Sequence, residues 1–428
     1  MEAWLQGLHP LALGLIRVLL LLILILAIVP VLIWWERRLL SFMQDRLGPN
    51  RVGPFGLLQP LADGIKLFLK EDITPKSVDR VIYFLAPAVA LFPAFALAGT
   101  VPWGPPHGVY GLLTPVSNAN IGVLFVLAIS SLGVYGVVLA GYASNNKYSL
   151  MGGLRASAQL ISYELAMGVS VATVVLASGS LRMTDIVIAQ EAPLYGVLPA
   201  VQGWFIFTPF GFLAALIFLI CMVAETNRAP FDLPEAENEI IAGYHTEYSS
   251  MKFAVFFMGE YAAMFLFSGI FGTLFLGGYN MLPFNWEYLM LNFPGWALVW
   301  DLMGRLNYWI APMVFIGKCF TGITFYVWLR AILPRLRYDQ LMSLGWKSLL
   351  PLAVANFIVV MCWIVVTRLY GDAAGWVVAF GGVGLALALF GGILRSRKPA
   401  DGGEYRRSIR LVDPARESSA AQEAEVTP

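Results

Sequence analysis

Nine apolar stretches of roughly twenty residues recur along the chain, and they constrain its fold more than any other feature. They run over 11–35, 80–100, 120–142, 157–178, 205–224, 253–275, 307–329, 350–370 and 375–394. A helix rises about 1.5 Å per residue, so each run matches a hydrocarbon layer of about 30 Å. Inside lipid the backbone must satisfy its own hydrogen bonds, and a helix does this within one segment. The pattern predicts an all-α fold, a polytopic transmembrane helix bundle of about nine spans. Composition agrees: 58% of the residues are apolar and 13% are charged, against about 25% charged in soluble domains. Segment 281–304 is apolar as well. Pro283 and Pro294 interrupt it, and Trp286, Trp296 and Trp300 favour the headgroup level, so it reads as a loop lying on the membrane. Met1–His9 lacks the positive start of a signal peptide, so the first run is expected to be a retained span.

Lysine and arginine concentrate in alternate loops. Arg37, Arg38, Arg46, Arg51, Lys66, Lys70 and Lys76 lie in the first, Lys147 and Arg155 in the third, Arg228 and Lys252 in the fifth, and Arg330, Arg335, Arg337 and Lys347 in the seventh. The intervening loops hold only Arg182 and Arg305. The positive-inside rule then predicts a multi-pass protein of a bacterial cell membrane, N-terminus outside and C-terminus cytoplasmic. Residues 1–394 form the expected helical domain. Residues 395–428 are charged and nearly devoid of large apolar side chains, so a disordered cytoplasmic tail is expected. A net charge of +1 argues against a nucleic-acid partner. Cys221, Cys319 and Cys362 are far apart, as are His9, His107 and His245, which argues against a metal site or a disulfide framework.

Two charged stretches on the positive side stand out. The first continues out of the first span as Glu36-Arg37-Arg38 and passes through Gly48-Pro49-Asn50-Arg51-Val52-Gly53-Pro54. Arg37 and Arg38 alone would read as membrane anchors. The Gly and Pro residues enforce turns that hold Arg46 and Arg51 in a defined loop. Residues 56–70 follow as an amphipathic interfacial helix, with Leu58, Leu61, Ile65, Phe68 and Leu69 on one side and Gln59, Asp63, Lys66 and Lys70 on the other. Asp63 and Lys66, three residues apart, are expected to pair and to present a polar patch to a ligand arriving from lipid.

The second stretch is acidic. Glu225, Asp232, Glu235, Glu237, Glu239 and Glu247 fall within a short span of sequence, opposed by Arg228 alone. Crowding and desolvation raise carboxylate pKa values toward neutrality, which suits proton exchange. Glu164 and Glu260 lie inside spans, where a charge costs roughly 2.5–3.5 kcal/mol on insertion scales and calls for an ion path or a buried partner. Lys318, in the seventh span, is the candidate partner.

Together these stretches resemble the quinone-site membrane subunit family of respiratory complex I, NADH:quinone oxidoreductase. Its bacterial members are the H subunits of that enzyme, and the mitochondrial counterpart is NADH dehydrogenase subunit 1. The matching residues are Glu36-Arg37-Arg38, Gln44 through Asn50, Gly56 through Lys66, Glu225 through Glu237, and His245 through Phe253. The resemblance covers about 10–370, an eight-span core, and leaves 375–394 as an added span; Arg38 stands where the family more often has lysine. It implies a subunit that joins the peripheral and membrane arms and forms the lower part of the quinone chamber. Arg37, Arg46, Asp63, Lys66, Glu225 and Arg228 would line or adjoin that chamber. Glu164, Glu225, Asp232, Glu235, Glu237, Glu247 and Glu260 would couple quinone reduction to proton translocation. FMN and iron–sulfur clusters would reside in partner subunits, with quinone as substrate. The alternatives are the homologous subunit of a membrane-bound hydrogenase and a stand-alone ion carrier.

Overall fold

The computed structural model describes residues 9–107, 110, 116–194, 198–232 and 243–396. Among them the chain is almost entirely helical, as the apolar runs predict. The helices are α1 (Pro10–Met43), α2 (Gln59–Leu69), α3 (Arg80–Ala98), α4 (Gly122–Ala143), α5 (Lys147–Ser178), α6 (Met183–Ala189), α7 (Pro209–Glu225), α8 (Ser250–Phe275), α9 (Trp286–Asn292), α10 (Ala297–Ile332), α11 (Tyr338–Leu344), α12 (Leu350–Tyr370) and α13 (Asp372–Ser396). Eight segments are long and apolar enough to cross a membrane, and α7 is a shorter apolar helix. A small hairpin, β1 (Pro193–Leu194) with β2 (Leu198–Gln202), is the one sheet among the described residues. The chain divides into two units, 1–383 and 384–428. The expected tail from 397 onward lies outside the described residues.

Helix starts follow local chemistry. Asp79 accepts from the backbone of Val81 and Ile82 at the start of α3, Asn146 from Tyr148 at α5, and Thr208 from Gly211 at α7. Proline inside a span removes an N–H and releases the carbonyl four residues earlier. In α3, Pro87 frees the Tyr83 carbonyl, and the Tyr248 hydroxyl donates to it at 3.3 Å. The core centres on α7, whose Phe210, Ile217, Phe218, Cys221 and Met222 are all buried, and on the adjoining face of α8, including Phe265 and Phe275. At about 1.5 Å each the 17 residues of α7 fall short of a bilayer; most of the helix is buried in the bundle, while Phe212 and Leu216 are exposed. Leu15, Leu19, Ile23 and Leu26 of α1 are exposed, as lipid-facing side chains are. Helices α3 and α4 approach closely at Gly136, where a Cβ would stand 2.6 Å from the Ala90 nitrogen.

Segment 281–304 departs from its sequence reading. It contains α9 and a 3₁₀ turn at Pro294–Trp296, and α10 begins at Ala297, well before the expected 307. A proline at the first position of a helix loses no hydrogen bond, so Pro294 starts the 3₁₀ turn that leads into α10 instead of breaking a helix. α5 likewise starts at Lys147, not 157, and α1 runs on to Met43.

Candidate functional site

The basic loops gather at one end of the bundle, and the first is folded tightly onto α1. The Trp34 indole donates to the Phe55 carbonyl at 3.1 Å, and Arg38 donates to the carbonyls of Pro49 and Phe55 at 3.3 Å each. Gly56, at φ +76°, lies flat against the Pro49 carbonyl. These contacts present Arg37, Ser41, Arg46 and Pro49 around a surface cleft of about 370 Å³. Arg37 forms an ion pair with Asp63 of α2, and the Gln59 amide donates to the other oxygen of Asp63 at 3.3 Å. The expected Asp63–Lys66 pair does not form. A lysine three residues along the same helix must bend back, whereas the guanidinium of Arg37 reaches Asp63 directly from α1. The apolar side of α2 is exposed, with Leu61, Ile65, Phe68 and Leu69 all more than half accessible.

Deeper in the bundle, Glu36 at 5% exposure is the centre of a buried charge cluster. The Tyr261 hydroxyl donates to it at 2.6 Å, Arg330 pairs with it, and Arg228 stands 3.7 Å away. Arg228 also reaches Glu260 at 3.8 Å and lies 4.6 Å over the Tyr261 ring. Three carboxylate-bearing or cationic helices, α1, α8 and α10, thus meet at the loop that follows α7. That loop is pinned by Gln159, whose amide donates to the carbonyls of Ala224 (3.0 Å) and Phe231 (2.9 Å) and to Asn227 (3.3 Å).

Glu260 and Glu225 both line a cavity of about 100 Å³ between α3, α4 and α8, together with Ser130, Asn227 and Tyr244. One carboxylate oxygen of Glu225 is buried without a hydrogen-bond partner. The lining is mainly apolar, and Ser130, Asn227, Tyr244 and the two carboxylates supply its polar part. Glu164 accepts a hydrogen bond from Ser131. Lys318 is not the partner of Glu164 or Glu260. Its ammonium donates to the carbonyls of Leu276 (2.6 Å), Gly278 (2.8 Å) and Asn280 (2.6 Å), capping the open C-terminal end of α8.

The remaining acids are dispersed. Glu247 accepts from the Asn146 amide at 2.7 Å. Glu235, Glu237 and Glu239 lie outside the described residues. Asp232 pairs with Arg335 at 2.8 Å, yet burial pushes its carboxyl above the ordinary range, outweighing Arg335, Arg330 and Arg228. A carboxylate with a raised folded pKa favours folding below its unfolded pKa and loses that advantage as pH rises through the folded value. Asp232→Asn is therefore expected to gain thermal stability relative to wild type as pH rises above the ordinary aspartate pKa of about 4. A melting difference independent of pH would overturn this.

Sequence reasoning placed Arg228 beside the ligand residues and Glu260 among the acids; the structure puts the two in contact. It passed over Glu36, Tyr261 and Arg330. Glu36 carried a signal: a carboxylate following Ile33-Trp34-Trp35 in a span that needs no acid. Among the described residues no group of His, Cys, Asp and Glu is arranged to hold a metal ion.

A family model described as NADH dehydrogenase matches residues 16–361. The chain belongs to this family. Members of the NADH dehydrogenase family similar to it include the NADH-quinone oxidoreductase H subunit numbered 1 in Geobacter metallireducens, 46% identical over 83% of this chain and 98% of the relative. The H subunit numbered 2 in Geobacter sulfurreducens is 47% identical over 78% and 91%. The H subunit of Thermomicrobium roseum is 47% identical over 78% and 90%. With its apolar helices, membership of the NADH dehydrogenase family makes this a multi-pass membrane protein. The match ends within α12, before α13.

Proposed function

We propose that this chain is the membrane subunit of a proton-translocating NADH:quinone oxidoreductase and forms part of its quinone chamber. The names of its relatives favour this over the hydrogenase reading and the ion-carrier reading. The observation that carries the mechanism is Arg228, which stands between Glu36, on the helix that leads into the ligand loop, and Glu260, on the wall of the acidic cavity. Arg37, Arg46, Asp63 and Lys66 form the entrance, and the exposed apolar side of α2 faces lipid, from which a quinone arrives. Glu225 and Arg228 adjoin the chamber. Glu164, Glu225, Asp232, Glu235, Glu237, Glu247 and Glu260 serve the proton path. The end carrying the basic loops faces the cytoplasm, where partner subunits holding FMN and iron–sulfur clusters dock.

Quinone reduction takes up two electrons and two protons. Partner subunits supply the electrons, and this chain's residues orient the ring and respond to the negative charge that develops on it. A charge arising near Arg228 draws the guanidinium and weakens its hold on Glu260, so that this carboxylate, on the cavity wall that it shares with Glu225, takes up a proton. The entrance is tested with Arg46→Ala and Asp63→Ala in the assembled enzyme. Each is expected to lower NADH:quinone activity by about tenfold or more while electron transfer from NADH to an artificial hydrophilic acceptor stays intact. Retained quinone activity in both variants would remove this reading of the entrance.

A further inference from the structure

Helix α8 begins with an arrangement that helix energetics alone does not explain. Lys252 sits in its first turn, where a cation opposes the helix dipole, and only 9% of it is accessible. Its ammonium pairs with Asp72 at 3.0 Å, donates to the Thr74 hydroxyl at 2.9 Å, and lies over the rings of Tyr83 and Phe84 at 4.7 and 4.5 Å. The two preceding polar residues, Ser249 and Ser250, hold the same segment. The Ser250 hydroxyl donates to the carbonyls of Leu67 (2.8 Å) and Lys70 (3.1 Å), closing the C-terminal end of α2. The Ser249 hydroxyl accepts from the Ile73 backbone N–H at 3.0 Å.

The entrance helix α2 is thus held at two points, by Arg37 of α1 on Asp63 and by the first turn of α8 on its last turn and the segment beyond. Both attachments lead to the same place. Glu36 adjoins Arg37 in the chain, and Glu260 and Tyr261 lie two turns beyond Lys252 on α8, which runs from Ser250 to Phe275 without a proline. Glu36, Glu260 and Tyr261 all converge on Arg228. A fastening meant only for stability would cost less with apolar side chains, since a largely buried ammonium carries a desolvation penalty.

We propose that Asp72 and Lys252 are positioning residues that tie the entrance helix α2 to the acid-bearing helix α8, so that displacement of α2 by an entering ligand shifts Glu260 against Arg228 and Glu225. This rests on the function proposed above. An ion pair suits the task because it has two discrete arrangements, made and broken, and α8 transmits the difference as a rigid rod. Lys252 and Asp72 touch neither the entrance cleft nor the acidic cavity.

The test uses the assembled enzyme in sealed proteoliposomes supplied with NADH and a short-chain quinone, with quinone turnover and protons moved per NADH measured together. Lys252→Met and Asp72→Asn are each expected to keep at least about half of the turnover while protons per NADH fall by about half. The double variant is expected to be no worse than either single one, because one link is broken in all three. Lys252→Arg keeps the charge and is expected to restore the yield. Asp72 is about half exposed, so Asp72→Asn leaves folding intact even if Lys252→Met assembles poorly. An unchanged proton yield in Asp72→Asn, whatever its turnover, overturns the proposal. Wild-type enzyme that fails to reduce quinone would overturn the proposed function instead, so the two failures are distinguishable.

Discussion

Arg228→Met is expected to destabilise the protein by about 3–5 kcal/mol, because the change strands carboxylates in a buried site. Arg228 is only 11% accessible at its side chain, as is Glu260 at 12%, so water does not replace the lost cation. Glu36 retains Arg330 and the Tyr261 hydroxyl. Glu260 meets Arg228 at 3.8 Å and accepts from the Tyr244 hydroxyl at 3.4 Å. Adding Glu260→Gln or Glu36→Gln to Arg228→Met is expected to recover part of that stability, because each removes a carboxylate that faced the guanidinium. Thermal melting of the purified enzyme, followed by retention of this chain, measures all three. Wild-type melting in the single variant would show that Arg228 is solvated and that the charge cluster is not the hub described above.

The second large effect is expected at Gly56. Its φ of +76° costs an L residue about 1–2 kcal/mol, and any Cβ there would collide with the Pro49 carbonyl, which is backbone and cannot swing aside. Gly56→Val should unseat the turn that carries Arg46 and holds the carbonyls bound by Trp34 and Arg38. We expect quinone reduction to fall by about tenfold or more, with electron transfer to a hydrophilic acceptor preserved. Gly64→Ala is the matched control. Nothing lies within 4 Å of its Cβ position, and it sits inside α2, where alanine gains up to about 1 kcal/mol of helix propensity. Equal behaviour of the two variants would mean that the turn geometry does not matter to the entrance.

These expectations depend unequally on sequence and on structure. The all-α bundle was legible from the chain alone because lipid imposes one rule on every span: about twenty apolar residues and a self-satisfied backbone. The interfacial helix was legible for the same kind of reason, since a one-sided apolar stripe has a local period. The two charged stretches were legible through their composition and their resemblance to a family that the comparison with relatives then established.

What sequence could not decide was which charge meets which. Asp63 was three residues from Lys66 and twenty-six from Arg37, yet it pairs with Arg37, because the turn at Gly53–Gly56 folds α2 back onto α1. Lys318 was the candidate partner for the acids inside spans, yet it caps the end of α8, because three open carbonyls of Leu276, Gly278 and Asn280 were within reach. Glu36 was given no role of its own and became the centre of a buried cluster. Periodicity and composition are properties of neighbours along the chain, and the sequence determined the membrane class, the spans and the two charged stretches through them. Ion pairs between residues hundreds of positions apart, such as Glu36 and Arg330, depend on how the helices pack, and only the tertiary structure decided that Glu36 of α1 and Glu260 of α8 share Arg228 between them.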